Sequence, residues 1–218
     1  MEVGVKAFIV GCPRTGTTWM VEMLADHPDV YHITGDDFAH WILGKPGKES
    51  GCFQPEIGYS TALVKMVFSM IEKDNPGKTL VEKTPWHVMC LDRLFQTFPD
   101  ARVILMKRDP RAVVASMLRK FPFTHVTQCT HFWIESEQRS LPFLNRCHIV
   151  HYEDLHADLK GTYAKVCDFL SLPHAPANGT YEGELDIGTV DSWKQFLTPK
   201  QLDVIGSMLH NEGLEKAA

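Results

Sequence analysis

The segment KAFIVGCPRTGTTW, Lys6 to Trp19, decides the fold class of this chain. It begins with a short apolar run that ends at Gly11, which predicts a buried parallel strand. A glycine-bearing turn follows, and the apolar pattern from Thr17 to Ala25 predicts a helix that stops before Pro28. This order of elements is typical of an anion site, because backbone N–H groups of the turn and the helix N-terminus point at the same place.

The same alternation of strand and helix continues along the chain. Further strands are predicted at Thr79–Lys83, Arg102–Lys107 and His148–Tyr152. Further helices are predicted at Tyr59–Lys73, Val88–Phe98, Pro110–Lys120, Thr130–Ser140, Ala157–Leu170 and Pro199–Leu209, with a polar loop at Pro173–Gly188. The pattern predicts an α/β fold: a central parallel sheet with helices on both faces, in a three-layer sandwich like that of P-loop NTPases. Ligands of such sheets bind at the carboxyl ends of the strands.

Length and charge narrow the class of protein. The chain has 218 residues, which predicts a single domain over residues 1–218. Hydrophobic residues make up 44% and charged residues 22%, which disfavours disordered and fibrous classes. The formal net charge of -5 disfavours a general nucleic-acid or membrane-surface binder. Any anion that the chain binds must therefore be held by a local basic site.

The cysteines and the N-terminus bear on the cellular compartment. The chain has 6 cysteines, scattered and without a C-x-x-C pair, which favours reduced, mostly buried thiols over a structural zinc site. The N-terminal residues lack a basic region followed by a long apolar stretch, and no apolar run approaches the roughly 18 residues of a membrane helix. We therefore expect a cytoplasmic protein.

The glycine turn departs from the nucleotide-hydrolase pattern. Gly11 and Gly16 have the G-x-x-x-x-G spacing, but Thr17 follows where a Walker motif has its lysine. Arg14 supplies a cation within the turn instead. No apolar strand ends directly in an aspartate suited to magnesium, which disfavours an ATP-using kinase or hydrolase. A non-catalytic nucleotide-binding module is the second alternative.

The motif PRTGTTW, Pro13 to Trp19, resembles the 5′-phosphosulfate loop of sulfotransferases, enzymes that use 3′-phosphoadenosine 5′-phosphosulfate (PAPS). Four further segments resemble the family in the same order: EKTP at Glu82–Pro85, Arg102–Met117, His151–Leu170 and Asp191–Thr198. The resemblance covers nearly the whole chain apart from roughly Asp36 to Pro76, which we expect to shape the acceptor site.

The resemblance implies roles for individual residues. The 5′-phosphate end of PAPS would be bound by Pro13, Arg14, Thr15, Gly16, Thr17 and Thr18. Arg14 and Lys83 would be the catalytic cations at the bridging oxygen, and Arg108 with Ser116 would hold the 3′-phosphate. Tyr152 would lie near the adenine or in the core, and Lys194 near the nucleotide. No metal is expected, because a sulfuryl group carries less negative charge than a phosphoryl group.

The general base has several candidates. Family members use either a histidine after the EKTP-like lysine or a glutamate after a DAHPDV-like turn. In this chain Pro85 occupies the histidine position, and His87 is the first candidate, because histidine is the residue type best suited to proton transfer near neutral pH. The turn ADHPDV is followed by TGDD, which makes Asp37 the second candidate and Asp36 an alternative to it. His32 and His40 are more remote candidates.

The resemblance leaves the acceptor open among small alcohols, phenols, amines, sugars and peptide tyrosines. Neither a nucleic acid nor a membrane is expected as a partner. A homodimer is left open as well, because many members of the family are dimers.

Overall fold

The sheet of this protein is fully parallel. The computed structural model describes residues 5–42, 49–174 and 190–214. Its strands are β1 Lys6–Gly11, β2 Val30–Ile33, β3 Thr79–Lys83, β4 Arg102–Lys107 and β5 Cys147–His151. They pair in the order β2-β3-β1-β4-β5, and every pair is parallel. The predicted α/β fold class is confirmed.

Helices connect the strands and cover the sheet. They are α1 Thr17–Ala25, α2 Gly35–Ile42, α3 Thr61–Asp74, α4 Leu91–Thr97, α5 Pro110–Lys120, α6 Val126–Ser140, α7 Tyr152–Ala157, α8 Leu159–Leu170, α9 Trp193–Phe196 and α10 Pro199–Asn211. Two 3₁₀ turns, Pro85–Cys90 and Leu141–Arg146, precede α4 and β5. Within the described ranges, no helix is both long enough and apolar enough to cross a membrane.

Side-chain alternation along β1 divides the core between the two faces of the sheet. Ala7 and Ile9 pack with the apolar residues of α1 and α8 on one face. Phe8 and Val10 pack with those of α3 and α4 on the other face. This alternation follows from the period of two along a strand. A third cluster joins α5, α6 and α10 around Trp133.

Strand order brings three sequence segments to one edge of the sheet. β1 lies between β3 and β4, so the chain crosses from one side of β1 to the other. Lys83 at the end of β3 is in register with Ile9, and Gly11 at the end of β1 is in register with Met106. The glycine turn, Lys83 and the residues after β4 therefore converge at the topological switch point, where ligands of open sheets bind.

Several predicted boundaries agree with the structure and others differ. The predicted bounds of β1, β3, β4, α1 and α5 match the observed ones. The sequence does not predict β2, because its four residues carry little periodic signal and it pairs with β3 alone at the sheet edge. The helix predicted at Val88–Phe98 begins instead as the 3₁₀ turn from Pro85 and becomes α-helical at Leu91.

The C-terminal half shows the larger boundary errors. The predicted strand His148–Tyr152 ends one residue earlier, and Tyr152 is the first residue of α7. The predicted helix Ala157–Leu170 is interrupted at Asp158, whose carboxylate accepts the Gly161 N–H at 2.9 Å and starts α8. The predicted loop Pro173–Gly188 lies mostly outside the described residues.

Helix ends also shift by a few residues. The predicted Thr130–Ser140 helix begins earlier, at Val126, and the predicted Tyr59–Lys73 helix begins at Thr61, because the Ser60 hydroxyl caps it by accepting the Leu63 N–H. The final helix continues to Asn211.

Candidate active site

The turn after β1 is closed by one of its own threonines. The Thr15 N–H and the Thr15 hydroxyl both donate to the Cys12 carbonyl oxygen, at 3.2 and 2.7 Å. Arg14 has φ of 78° and Gly16 has φ of 95°, both in the left-handed region. Such a backbone is natural for glycine and strained for arginine. Thr15 therefore shapes the turn through both of its donors, and its contact with a phosphate stays a prediction.

The N-terminus of α1 presents backbone donors beyond this turn. Gly16 occupies the cap position, and among the described residues no side chain caps this helix. The N–H groups of Thr17 and Thr18 have no partner within the helix, as in the first turn of any α-helix. With the helix dipole they make an anion site. Pro13 has no N–H, so its contribution to that site is to the shape of the turn.

Gly16, Tyr152 and Arg108 form a stack beside the turn. A Cβ on Gly16 would lie 2.7 Å from Cδ2 of Tyr152, so glycine is required sterically as well as conformationally. The Arg108 guanidinium also packs on this tyrosine, 3.8 Å from the centre of its ring. Tyr152 is 6% exposed. Of the two predicted positions for this tyrosine, near the adenine or in the core, the structure shows the core position, from which its ring packs against Arg108.

Arg108 and Ser116 meet Arg14 on the same side of the turn. Arg14 Nε donates to Ser116 Oγ at 3.1 Å, and Arg108 Nη1 donates to the Arg14 carbonyl oxygen at 3.1 Å. Arg108 is 9% exposed, and its Nε is buried without a hydrogen-bond partner. Burial lowers the pKa of Arg108, and the nearby charge of Arg14 adds to this effect. The arrangement has the charge and the open donor that a bound phosphate would satisfy.

Lys83 lies on the other side of α1. Its side chain is 4% exposed; Nζ lies 2.5 Å from Oε1 of Glu49 and 3.5 Å from Oγ1 of Thr18. The contact with Thr18 places Lys83 at the helix N-terminus, as predicted from the sheet edge. Arg14 and Lys83 contact different protein groups, Ser116 and Glu49, and their shared role at the bridging oxygen stays a prediction. Sequence reasoning missed Glu49, because an isolated glutamate in the middle segment carries no motif.

These elements match known proteins. A model of the sulfotransferase family matches residues 7–176. The chain belongs to the sulfotransferase family. The protein-tyrosine sulfotransferase of Drosophila melanogaster is 30% identical over 193 residues, which cover 76% of this chain and 38% of that protein. This chain therefore spans less than two thirds of the length of that relative.

Solved sulfotransferases share the fold. The sulfotransferase domain of the Synechococcus PCC 7002 olefin synthase has a TM-score of 0.68 and 20% identity, covering 95% of this chain and 96% of that domain. A mouse sulfotransferase complexed with PAP, which is adenosine 3′,5′-bisphosphate, has a TM-score of 0.60 and 14% identity, covering 99% of this chain and 88% of that one. The family predicted from the sequence is confirmed.

The buried position of His87 disfavours a role as general base. The side chain is fully buried, and Nε2 accepts the Phe53 N–H at 3.2 Å. A nitrogen that accepts cannot carry the proton, so the neutral ring is protonated at Nδ1, which lies 3.0 Å from Oε2 of Glu82. Neither ring nitrogen faces a space that an acceptor could enter. The sequence could not show this, because burial depends on the distant segment at Phe53.

Asp37 serves the structure around α2. Its carboxylate accepts the Tyr31 hydroxyl at 2.7 Å, the Thr34 N–H at 2.7 Å and the Thr34 hydroxyl at 3.1 Å. Burial, together with the contact with Asp37, raises the pKa of Tyr31 to about 12. This carboxylate is the acceptor half of a helix-capping arrangement. Asp36 is exposed.

The remaining histidine candidates differ in what the structure shows. His32 is half-buried on β2, and its Nε2 is buried without a hydrogen-bond partner. Burial lowers the pKa of His32, and the positive charge of Lys83 lowers it further. The negative charges of Glu82 and Asp37 oppose this effect without cancelling it. The ring is therefore mainly neutral near pH 7. The side chain of His40 lies outside the described residues.

A buried polar network underlies Lys83. Glu82 Oε1 accepts the hydroxyls of Ser50 at 2.7 Å and Thr84 at 2.6 Å. Its Oε2 lies 3.0 Å from His87 Nδ1 but with poor hydrogen-bond alignment, so we regard this pair as an electrostatic contact between the carboxylate and the ring N–H. Burial alone would raise the pKa of Glu82, but His87 and the two hydroxyls together lower it below its ordinary value. Glu82 is therefore ionised in the folded protein.

The same network includes a set of potential metal ligands. Donor atoms of Cys52, Glu82 and His87 lie within 4.8 Å of one another, and all three residues are buried. Burial raises the pKa of the Cys52 thiol well above its ordinary value. A metal ion on Nδ1 of His87 would also require a proton on Nε2, which faces the N–H donor of Phe53. These residues fit a hydrogen-bonded network better than a metal centre.

The Glu82 network predicts a loss of stability in acid. The folded pKa of Glu82 lies below the ordinary value of 4.5, so its contribution is complete above that value and is lost as the pH falls through the folded pKa. We expect the melting temperature of the wild type to fall more steeply than that of Glu82→Gln between about pH 5 and about pH 3. Melting curves over this range measure the difference; parallel curves would contradict the prediction.

The described contacts of Lys194 are made within its own segment and not with the glycine turn. Its Nζ pairs with Asp191 at 2.9 Å, and both side chains are more than half exposed. The preceding Trp193 is buried against α5, where the Arg111 guanidinium lies 4.3 Å from its ring centre. The C-terminal segment is therefore anchored by Trp193 beside the helix that carries Ser116, and Lys194 stays a predicted nucleotide contact.

Proposed function

We propose that this chain transfers the sulfuryl group of PAPS to a hydroxyl or amine of an acceptor. The observation that carries the proposal is the unpartnered, buried Nε of Arg108 beside Arg14 and Ser116, next to the open N-terminus of α1. Two separate anion sites flank one glycine turn. PAPS has a 3′-phosphate and a 5′-phosphosulfate, so it has an anionic group for each site.

The residues divide the work of binding and catalysis. The N–H groups of Thr17 and Thr18 hold the 5′-phosphate, and Arg108, Ser116 and Arg14 hold the 3′-phosphate. Lys83 lies beside Thr18 and neutralises the charge that develops on the bridging oxygen as the sulfur–oxygen bond breaks. The low exposure of Lys83 strengthens this interaction, because less water competes for its charge.

The acceptor class to test first is a phenol. Two relatives of this chain, from Drosophila melanogaster and Danio rerio, are named protein-tyrosine sulfotransferases, and tyrosine presents a phenolic hydroxyl. The matched region covers less than two thirds of the length of each of these two relatives. Binding of a tyrosine peptide is therefore tested separately from sulfuryl transfer to a phenol.

Ligand-dependent melting tests the nucleotide assignment. We expect PAP to raise the melting temperature without a metal ion, because a ligand that binds the folded state alone stabilises it by mass action. ATP with magnesium serves as the comparison, and a larger, magnesium-dependent shift with ATP would contradict the proposal. Release of PAP from PAPS in the presence of a tyrosine peptide or a simple phenol then tests catalysis.

The 3′-phosphate site predicts a selective loss of affinity. Arg108→Ala should weaken PAP binding by about 10- to 100-fold, because it removes charged hydrogen bonds to the phosphate. AMP lacks that phosphate, so its affinity should hardly change. Calorimetric titration of both nucleotides measures the two effects.

Two further variants distinguish a loss of the phosphate contact from misfolding of the Arg108→Ala protein. Ser116→Ala removes a single hydroxyl from α5 and should weaken PAP in the same selective way. Arg139→Ala, whose side chain is 61% exposed, is the matched control and should bind both nucleotides normally. Equal losses for PAP and AMP in Arg108→Ala would show that the site is placed elsewhere.

A further inference from the structure

The carboxylate of Glu49 contacts Lys83, the cation assigned above to the reacting group. The Glu49 side chain is 40% exposed, whereas the lysine that it contacts is 4% exposed. Glu49 therefore lies between the buried cation and solvent. A hydroxyl that approaches Lys83 from the side of Glu49 therefore comes within reach of this carboxylate.

The backbone next to Glu49 is held firmly. The Ser50 hydroxyl donates to Glu82, the Gly51 N–H donates to Thr84 at 3.1 Å, and the Phe53 N–H donates to His87. Glu82 directly precedes Lys83, and Thr84 and His87 follow it. The segment after Glu49 is therefore hydrogen-bonded to the end of β3 and the turn that follows. The network thus sets the distance between Glu49 and Lys83, as preorganised catalytic groups require.

Other candidate bases are less well placed. His87 is enclosed within the same network, and the oxygens of Asp37 are taken by Tyr31 and Thr34. His32 has its free nitrogen buried rather than presented to solvent. Glu49 combines exposure, contact with the catalytic cation and a second carboxylate oxygen, Oε2, that has no hydrogen-bond partner among the described residues.

Resting on the proposed sulfotransferase function, we propose that Glu49 is the general base of this enzyme. The acceptor oxygen forms a bond to sulfur while the bond between sulfur and the bridging oxygen of PAPS breaks. The acceptor proton passes to the Glu49 carboxylate, and the electron pair of the broken bond stays on the 5′-phosphate of PAP, where Lys83 neutralises it. A carboxylate within reach of the hydroxyl suffices for this transfer.

Glu49→Gln tests the assignment, because it keeps the shape of the side chain and removes its basicity. We expect turnover of PAPS with phenol to fall by about 100-fold or more. PAP should bind at least as tightly as to the wild type, because a negative charge near the 5′-phosphate has been removed. Glu56→Gln, an exposed glutamate in the same segment, is the matched control and should turn over normally.

A second acceptor separates a base from a residue that only positions Lys83. 4-Nitrophenol loses its proton far more readily than phenol, so a missing base matters less for it. The loss in Glu49→Gln should therefore be much smaller with 4-nitrophenol than with phenol. Equal losses with the two acceptors, or wild-type turnover with phenol, would overturn the assignment of Glu49 alone. Failure of the wild type to bind PAP would overturn the proposed function and this assignment with it.

Discussion

Lys83→Ala is expected to lower PAPS turnover by about 100- to 1,000-fold while leaving the protein folded. Lys83 is the buried cation at the N-terminus of α1, and its charge is strongest at the transition state, when the bridging oxygen becomes anionic. The effect should appear in kcat, because an interaction made mainly in the transition state contributes little to ground-state binding. Steady-state release of PAP from PAPS measures it.

The controls for Lys83 concern charge, binding and folding. Lys83→Arg should keep part of the activity, because the charge remains although its geometry changes. Lys65→Ala removes an exposed lysine from α3 and should behave as the wild type. Glu49 loses its partner in Lys83→Ala but stays partly solvated, so a large fall in melting temperature is not expected. Turnover within about threefold of the wild type would remove Lys83 from the mechanism.

Glu82→Ala is expected to lower the free energy of unfolding by roughly 3–5 kcal/mol. The substitution removes the acceptor for Ser50 and Thr84 and leaves the buried Nδ1–H of His87 without the carboxylate that it faces. For a chain of this size each kcal/mol corresponds to about 2–4 °C, so the melting temperature should fall by roughly 6–20 °C. Denaturant unfolding and thermal melting measure the two quantities.

Glu56→Ala provides the comparison for Glu82, because Glu56 is exposed and its loss should change the melting temperature by no more than about 1 °C. Thr84→Val removes one donor from the network while keeping the volume of the side chain. It should fall between the wild type and Glu82→Ala. A Glu82→Ala protein as stable as Glu56→Ala would mean that the network does not stabilise the fold.

The anion-binding turn and the helices around it could be predicted because their signals are local. The apolar run of β1, the glycines of the turn and the helix that follows are contiguous, and their bounds agree with the structure. Arg108 and Ser116 lie at the end of a strand and on the next helix, so a short motif places them together. β2 could not be predicted, because a four-residue edge strand depends on pairing with β3.

Residue type and spacing along the chain were therefore sufficient for the fold class, the family and the phosphate-binding turn, since each rests on neighbouring residues or on the parallel order of strand ends. Contacts between distant segments assigned the remaining roles. In the folded chain the segment after Glu49 packs against the end of β3. Phe53 and Ser50 of this segment hydrogen-bond to His87 and Glu82, and Glu49 itself contacts Lys83. Burial and hydrogen-bond partners decide which titratable group is free to react, and both are properties of the packed molecule.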